Sequence, residues 1–391
     1  MVDLAEQPLL PAYGSRSLAE LTPSLLAALG APDQHNALGI APARRVCLLL
    51  VDGLGSRQLA EYAADAPFLA SLAAANPEPI TAGFPSSTPV SLASLGTGAP
   101  PGGHGVLGVS FEAGHGELLD ALKWTTHRGG KLVDQREELP PEQVQPLATA
   151  LERAAATGTE VRVVSDRLFK GSGLTRAALR GGEFRGVHAL GDLAAELITA
   201  LRAPGPGFAY GYHADLDALG HVYGPGSLAW RLQLTTIDRV AALVAEALPS
   251  DGLLVVTADH GMVSVPAGAR IDADSEPVLR AGVRLLGGDA RSRHVYVKPG
   301  AREDVLSAWT ERLGSLAWVL RREEAIEAGW FGPVTSPGPR RRIGDVVVAM
   351  RGDAAVVRTR AEKFLATLIG QHGSLTAAEQ EIPLLMLRGN G

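Results

Sequence analysis

The sequence predicts an α/β fold with a largely parallel central sheet that helices cover on both faces. Short, continuous apolar runs such as Arg45–Val51 and Gly252–Thr257 are typical of strands buried on both faces. Strongly helical patterns such as Leu228–Leu248 separate these runs. Strands that alternate with helices indicate parallel pairing, with the connecting helices packed on the two faces of the sheet.

The composition agrees with a large globular protein. Its 391 residues suggest one large domain or two fused domains, and 46% hydrophobic residues can bury a sizeable core. The net charge of −6 is too small to predict a nucleic-acid surface. The single cysteine, Cys47, lies in an apolar run, which argues against a disulfide, a thiolate metal cluster and a cysteine nucleophile. The sequence contains neither a secretion-signal pattern nor an apolar run of about 20 residues, so we expect a cytoplasmic protein without membrane association.

The elements follow one another along the chain in a regular order. Residues 1–44 form a Pro- and Ala-rich lead-in with one short amphipathic helix. Further strands are expected at Val161–Ser165, Phe208–Tyr212, Asp345–Met350 and Ile382–Leu387, a hairpin over Val109–Thr126 and a helix over Leu139–Ala156. Residues 266–344 are less regular and rich in Gly and Pro turns. We therefore expect a main domain of residues 45–265 and 345–391, with a smaller inserted lobe of residues 266–344.

The stretch Phe84–Gly108 carries a run of three hydroxyls, Ser86-Ser87-Thr88, directly before an apolar run. Pro89 suits the first helical position, where its missing N–H needs no partner, so Thr88 is predicted to be the N-cap. There the Thr88 side chain would lie beside free N–H groups and the positive end of the helix dipole, which favour an anion. A capping threonine on an ordinary core helix gives the same pattern, so this stretch alone leaves both interpretations open.

Several polar side chains share one property: each lies at, or shortly after, the end of a predicted strand. They are Asp52, Thr88, Asp217, His221, Asp259, His260 and His372. Each has an alternative explanation when taken alone; Asp52, for example, could be a helix cap. Because ligands bind at the carboxyl ends of strands in open α/β sheets, the recurrence indicates one site at a single edge of the sheet. Three carboxylates and three imidazoles suit two divalent cations, most readily Zn²⁺, with Mn²⁺ or Fe as further candidates.

The sequence resembles the alkaline phosphatase superfamily, and within it the nucleotide pyrophosphatase/phosphodiesterase branch. The resemblance covers about Arg45–Gly108, Gly207–Met262 and a short patch around His372. Its motifs occur in the family's order: VDGLG, PSSTP, GTG, HG, D-x-x-x-H-x-x-GP, TADHGM and a late HG. No motif covers the lobe between them.

The resemblance implies a role for each strand-end residue. Thr88 would be the nucleophile, with Ser87 as its main competitor. One cation would be held by Asp52, Thr88, Asp259 and His260, and the other by Asp217, His221 and His372. The implied activity is hydrolysis of phosphate diesters or nucleotide pyrophosphate bonds through a covalent phospho-Thr88 intermediate. A phosphomonoesterase or a phosphonate hydrolase with the same site is the alternative, and the presence of all expected ligands disfavours an inactive scaffold protein.

Three further residues are candidates for contacts with a small phosphate ester or nucleotide substrate. Ser91 stands three residues after Thr88, where the phosphodiesterase branch that this sequence resembles commonly has an Asn that helps hold a phosphate oxygen, and the Ser91 hydroxyl could donate one hydrogen bond. His213 and His294 lie near predicted strands, where each could contact the substrate or be a histidine satisfied within the fold. The sequence does not indicate an oligomeric state.

Overall fold

The protein is described by a computed structural model that covers residues 7–114, 116–127 and 132–389. The strands in these ranges are β1 (Arg45–Val51), β2 (Ile80–Thr81), β3 (Ser110–Glu112), β4 (Leu118–Asp120), β5 (Thr125–Thr126), β6 (Glu160–Asp166), β7 (Glu183–Val187), β8 (Gly207–His213), β9 (Gly252–Thr257), β10 (Val263–Ser264), β11 (Arg270–Asp272), β12 (Val283–Asp289), β13 (Ser292–Val297), β14 (Ala317–Arg321), β15 (Val346–Met350), β16 (Ala355–Val357), β17 (Gly370–Gln371), β18 (Glu381–Ile382) and β19 (Leu384–Arg388). The α-helices are α1 (Leu18–Ala28), α2 (Ser56–Glu61), α3 (Pro67–Ala75), α4 (Thr88–Thr97), α5 (Pro101–His104), α6 (Pro141–Val144), α7 (Ala150–Ala156), α8 (Gly173–Ala178), α9 (Leu190–Arg202), α10 (Asp215–Tyr223), α11 (Leu228–Glu246), α12 (Pro277–Arg280), α13 (Arg302–Leu313), α14 (Arg322–Glu327), α15 (Pro337–Arg342) and α16 (Ala377–Gln380). No helix within the described ranges combines the length and the apolar character needed to cross a membrane.

The central sheet has six strands in the order β19–β9–β1–β8–β6–β7. All neighbouring pairs are parallel except β19, which runs antiparallel to β9 at the edge. Strand β1 lies in the middle, and from Val46 to Val51 it is buried throughout, which explains its continuous apolar sequence. Helices such as α9 and α11 pack against the sheet. The predicted α/β class with a mostly parallel sheet is confirmed.

The main hydrophobic core surrounds this sheet and includes the first helix. Leu18, Leu21 and Leu25 of α1 are fully buried in the same core as β1. A capping box starts α1, since Ser17 accepts a hydrogen bond from the helix and Glu20 bonds back to the N-cap backbone. The predicted lead-in therefore contributes a helix to the main core.

A second sheet of four antiparallel strands, in the order β12–β13–β15–β14, packs around its own core with α13. The strand predicted at Asp345–Met350 forms as β15, but it pairs with β13 and β14 and not with the central sheet. The predicted boundary between residues 344 and 345 thus cuts through this sheet. An apolar run predicts a buried strand without indicating which sheet the strand joins. The division into a main domain and an inserted lobe otherwise stays a prediction.

One local prediction is wrong, and a second is extended by the structure. The helix expected over Leu139–Ala156 is divided into α6 and α7, because Pro146 cannot continue a helix. Thr149 then starts α7 with a capping box to Glu152. The hairpin expected over Val109–Thr126 forms as the antiparallel pair β3–β4, and β5 adds a third antiparallel strand to it.

Helix α4 begins one residue earlier than its pattern suggested. Ser87 is the N-cap, with extended φ and ψ of −148° and 142°, and Thr88 is the first helical residue, followed by Pro89. The helix ends at Gly98, whose φ of 70° is the left-handed conformation that glycine adopts most readily. Every residue of α4 is buried, so the helix is a fixed support for the Thr88 side chain.

Candidate active site

The carboxyl ends of three neighbouring parallel strands supply most of the site. Asp52 follows β1, Asp217 and His221 lie on α10 after β8, and the pair Asp259-His260 follows β9. Because β8, β1 and β9 are adjacent and parallel, these residues emerge at one edge of the sheet. Thr88 at the start of α4 and His372 after β17 complete the set, so the structure brings all seven predicted strand-end residues together.

One group of side chains consists of Asp217, His221 and His372. The Nε2 atom of His221 lies 3.2 Å from Oδ2 of Asp217 and 3.3 Å from Nε2 of His372. The distance from His372 Nε2 to Asp217 Oδ1 is 3.8 Å. Three potential ligand atoms thus face a common point, which makes this group a candidate metal site.

The second group surrounds Thr88. Its Oγ1 atom lies 3.2 Å from Nε2 of His260 and 3.5 Å from Oδ2 of Asp52. The same His260 nitrogen is 3.4 Å from a carboxylate oxygen of Asp52 and 3.4 Å from one of Asp259. Ligand atoms of Asp52, Asp217 and His260 also lie within 4.8 Å of one another, so Asp217 lies between the two groups.

The three histidines are oriented in the same way. Nδ1 of His221 lies 2.7 Å from the carbonyl oxygen of Gly370, Nδ1 of His372 lies 2.9 Å from that of Ser86, and Nδ1 of His260 lies 3.1 Å from that of Gly261. A carbonyl oxygen only accepts, so each Nδ1 carries the hydrogen and donates it. In each ring Nε2 is therefore the nitrogen that faces the site, and a ring can ligate a metal through Nε2 once that atom carries no proton.

Three buried carboxylate oxygens in the site have no hydrogen-bond partner among the described residues. They are Oδ1 of Asp52, Oδ1 of Asp217 and Oδ2 of Asp259. Burial, together with the neighbouring carboxylates of Asp259 and Asp217, raises the pKa of Asp52 well above its usual value. Unpaired buried carboxylates are costly, and divalent cations between them would remove both the desolvation cost and the mutual repulsion. The oxygen and nitrogen donors present therefore fit two divalent metal ions.

The histidines next to Asp217 differ in their protonation. Burial and the neighbouring His260 lower the pKa of His372 well below its usual value. Burial would also lower the pKa of His221, but the carboxylate of Asp217 outweighs it and raises the pKa to about 9. A cation that binds this group must therefore displace a proton from His221 at neutral pH.

The two candidate nucleophiles differ in their access to solvent. A cavity of about 310 Å³ opens beside the site, and its wall includes Thr88, Asp217, His221 and His372. Thr88 is 8% exposed, whereas Ser87 is fully buried and does not line this cavity. The geometry therefore favours Thr88 over Ser87 as the hydroxyl that meets a substrate.

A hydrogen-bonded network fixes His372 relative to Thr88. The Ser86 hydroxyl donates to the carbonyl of Ser374 at 2.9 Å and accepts from the N–H of Gly373 at 3.2 Å. Glu379 accepts from the N–H of Ser374 at 3.0 Å and forms a bidentate ion pair with Arg291 at 2.9 and 2.8 Å. Both charged side chains are fully buried, so each depends on the other for compensation.

Replacing Glu379 with Gln is expected to lower the free energy of unfolding by about 3–5 kcal/mol, because it leaves the buried Arg291 guanidinium without a counter-charge. Denaturant unfolding of the two proteins measures the difference. The matched control is Glu381→Gln, which removes the partly exposed pair with Arg57 and should cost less than about 1 kcal/mol. Equal effects of the two substitutions would contradict this role for the buried pair.

The structure does not place the three predicted substrate contacts on the cavity beside Thr88. Ser91 is fully buried, and its hydroxyl donates to the backbone carbonyl of Asp259 at 2.7 Å, so it supports a site residue. His294 is buried, with Nε2 donating to the carbonyl of Leu107 at 2.8 Å and Nδ1 accepting from the N–H of Gly344 at 3.1 Å. Burial lowers the pKa of His294 to about 4, so it is a neutral structural residue. His213 contacts Gln233 on α11, 2.7 Å away.

Two residues beside the site have roles that the sequence did not indicate. The Tyr212 hydroxyl, near the end of β8, donates to Oδ2 of Asp52 and holds that carboxylate in place. Asp289, the last residue of β12, lines the cavity, and burial raises its pKa to about 6. The position of Tyr212 near a strand end is a signal that sequence could have used, whereas Asp289 belongs to the lobe that no motif covers.

Comparisons with known proteins identify a family and similar folds. Residues 46–375 match the family model described as type I phosphodiesterase / nucleotide pyrophosphatase. Murine ectonucleotide pyrophosphatase / phosphodiesterase 5 has a similar structure, with a TM-score of 0.64 and 16% identity over 87% of each chain; an inactive form of that protein has been solved in complex with AMP. Phosphonoacetate hydrolase from Sinorhizobium meliloti 1021, solved with phosphonoacetate, has a TM-score of 0.63 and 19% identity over 88% of this chain and 90% of that chain. A search of curated protein sequences finds no significant match.

At 16–19% identity, the structural matches establish similarity of the fold alone. The family match extends over most of the sequence and includes all seven residues that converge at the sheet edge. The resemblance predicted from the order of the motifs is thereby confirmed. This chain belongs to the type I phosphodiesterase / nucleotide pyrophosphatase family.

Proposed function

We propose that this protein hydrolyses phosphate diesters, or nucleotide pyrophosphate bonds, through a covalent phosphothreonine formed at Thr88. The observation that carries the proposal is the position of the Thr88 hydroxyl, 3.2 Å from His260 and 3.5 Å from Asp52, at the wall of an open cavity. Membership of the family supports hydrolysis of phosphoric esters as the reaction class.

Two divalent cations are part of the proposal. Asp52, Thr88, Asp259 and His260 would hold one of them, and Asp217, His221 and His372 the other. Mixed imidazole and carboxylate donors suit Zn²⁺ best, with Mn²⁺ or Fe as alternatives. When bound, such cations supply positive charge that lowers the pKa of a coordinated hydroxyl and neutralises phosphate oxygens.

The side chains of the site would share the remaining work. The Thr88 hydroxyl loses its proton to solvent as its oxygen forms a bond to phosphorus; the bond to the leaving oxygen breaks, and the alcohol departs with a proton from solvent. Water then attacks the same phosphorus and loses a proton, while the bond to Thr88 breaks and the Thr88 oxygen regains a proton. Tyr212 holds Asp52 in place, and the three Nδ1–H donors hold the histidines. The positive end of the α4 dipole adds favourable potential for the developing negative charge.

A substrate panel tests the proposal. We expect the ratio kcat/KM to be at least tenfold higher for bis(4-nitrophenyl) phosphate than for 4-nitrophenyl phosphate, because the diester carries one negative charge less into a site already rich in carboxylates. Both reactions release 4-nitrophenolate and are followed by absorbance. Faster hydrolysis of the monoester, or release of phosphate from phosphonoacetate in preference to diester cleavage, would assign the site to the alternative monoesterase or phosphonate hydrolase activity.

Two further expectations stay predictions. The single cysteine and the absence of a signal pattern predict a cytoplasmic location. The net charge of −6 predicts that the protein does not bind a nucleic-acid duplex. Fractionation of the native cells and a binding assay with duplex DNA would test them.

A further inference from the structure

The cavity beside Thr88 has a predominantly apolar wall. Leu122, Val222, Phe364 and Leu365 line it, and they come from well-separated segments of the chain. Several of these side chains are open to solvent at the mouth of the cavity, with Phe364 68% exposed and Val222 45% exposed. Exposed apolar side chains that gather at one opening indicate a surface that another apolar group covers.

The polar side chains of the same wall are largely occupied by the protein itself. Of the Lys and Arg residues in the described ranges, Arg293 alone lines the cavity. It is 1% exposed and pairs with both oxygens of Glu362, at 3.1 and 2.8 Å, and with the carbonyl of Val356. The amide nitrogen of Gln371 donates to the carbonyls of Leu365 and Leu368. A substrate would thus find no free cation among these described residues to pair with a second negative charge.

Asp289 adds a negative charge to the wall. Its carboxylate lies at the junction of the cavity and the site, where Oδ2 accepts a long hydrogen bond of 3.4 Å from the N–H of Val109. Within the described residues Asp289 forms no ion pair, although the charge of the neighbouring Arg293 acts to lower its pKa. A carboxylate in this position disfavours any substrate group that is itself anionic.

The position of Thr88 in the wall relates the cavity to the geometry of phosphoryl transfer. In phosphoryl transfer the attacking and leaving oxygens lie roughly in line on opposite sides of phosphorus. The leaving group therefore departs on the side away from Thr88. The ester group that stays on phosphorus projects sideways from this line, and the cavity beside Thr88 offers space for it.

We propose that this cavity binds an uncharged, apolar alkyl or aryl ester group, the group retained on phosphorus, and that it selects such diesters over nucleoside and anionic ones. The inference rests on the proposed function and narrows its substrate class. Apolar walls strengthen binding by about fourfold for each methylene fully buried. A nucleoside would bring hydrogen-bonding groups into a wall whose polar atoms are mostly engaged, and each unpaired group would weaken binding.

The test is a series of diesters with one leaving group, 4-nitrophenolate, and a varied second ester group. Methyl, hexyl, phenyl, 2-carboxyethyl and thymidine 5′-yl groups are compared, and every hydrolysis yields the corresponding monoester and 4-nitrophenol. We expect kcat/KM for the hexyl and phenyl diesters to exceed that for the methyl diester at least tenfold. The carboxyethyl and thymidine diesters should be no better than methyl.

Variants assign the preference to the cavity. Phe364→Ala should lower the ratio of kcat/KM for the hexyl diester to that for the methyl diester about threefold or more. The substitution removes an exposed apolar side chain from the cavity wall without disturbing the core. Val334→Ala is the matched control, because Val334 is 71% exposed and lies outside the cavity. Asp289→Asn keeps the shape of the side chain and should raise carboxyethyl activity relative to methyl activity.

The outcomes separate this inference from the proposed function. The inference on the cavity is wrong, and the proposed function stands, if the methyl diester is hydrolysed but kcat/KM is the same for all the diesters. The same conclusion follows if kcat/KM is highest for the thymidine or carboxyethyl diester. If none of the diesters is hydrolysed while a monoester or phosphonoacetate is, the proposed function itself fails.

Discussion

Replacing Thr88 with Ala is expected to lower kcat/KM for bis(4-nitrophenyl) phosphate by about 10⁴-fold or more, a loss typical for removal of a nucleophile. The substitution deletes the only hydroxyl among the described residues that both contacts the Asp52–His260 group and lines the cavity. The metal content should remain at two equivalents, because Asp52, Asp259 and His260 still offer ligands. Absorbance of 4-nitrophenolate measures the activity, and elemental analysis of the purified variant measures the metals.

Two neighbouring variants make the interpretation of this result specific. Ser87→Ala removes a buried hydroxyl one residue earlier and should leave most of the activity. Thr88→Ser keeps a hydroxyl at the site and should keep part of the activity. Mass spectrometry of rapidly quenched enzyme should find a phosphorylated peptide that contains Thr88 in the wild type and not in Thr88→Ala. An active Thr88→Ala protein beside an inactive Ser87→Ala protein would move the nucleophile to Ser87.

Removal of the metals is expected to lower kcat/KM for bis(4-nitrophenyl) phosphate by about 10³-fold or more. Activity should recover when Zn²⁺ is added back. Without cations the carboxylates of Asp52, Asp217 and Asp259, each with one buried oxygen that has no hydrogen-bond partner among the described residues, repel one another and repel an anionic substrate. Dialysis against a chelator, followed by assays with Zn²⁺, Mn²⁺ or Fe²⁺, measures loss and recovery. Recovery should improve as the pH rises from 7 towards 9, because the cation must displace the proton of His221, whose pKa is raised to about 9.

Variants that each lose one candidate metal ligand test whether the site binds two separate cations. His221→Ala should reduce the metal content from two equivalents to one, since it removes a ligand of the Asp217–His221–His372 group alone. His188→Ala is the control: it removes an exposed histidine that makes a contact with Arg167 and should change neither metal content nor activity. Full activity after complete removal of metal would contradict a metal-dependent site.

The central sheet and the set of residues at its edge could be predicted from sequence because both depend on local patterns. A run such as that of β1 is apolar on both faces only if both faces are buried, which in turn requires helices on the two sides of a parallel sheet. Parallel neighbours bring their carboxyl ends to one edge, so Asp52 and Asp259 must lie near each other once β1 and β9 are adjacent. The order of the motifs then indicated the family, which the family match confirms.

The tertiary structure decided everything that depends on the direction in which a side chain points. Ser91 and His294 have the residue types of substrate contacts, yet packing turns their polar atoms to backbone partners. Strand β15 shows an apolar run like those of the central sheet and pairs in the other sheet.

The cavity wall shows most clearly what the sequence alone could not predict. Val222, Asp289 and Phe364 are far apart in sequence and belong to no shared motif, yet they line one opening beside Thr88. The sequence by itself determined the residue types, the strands and the edge at which the acidic and imidazole groups gather. Only long-range packing decided which partners these side chains contact, which residues form the cavity wall and which substrate the cavity would accept. Local sequence patterns contain no information on which distant segments come into contact.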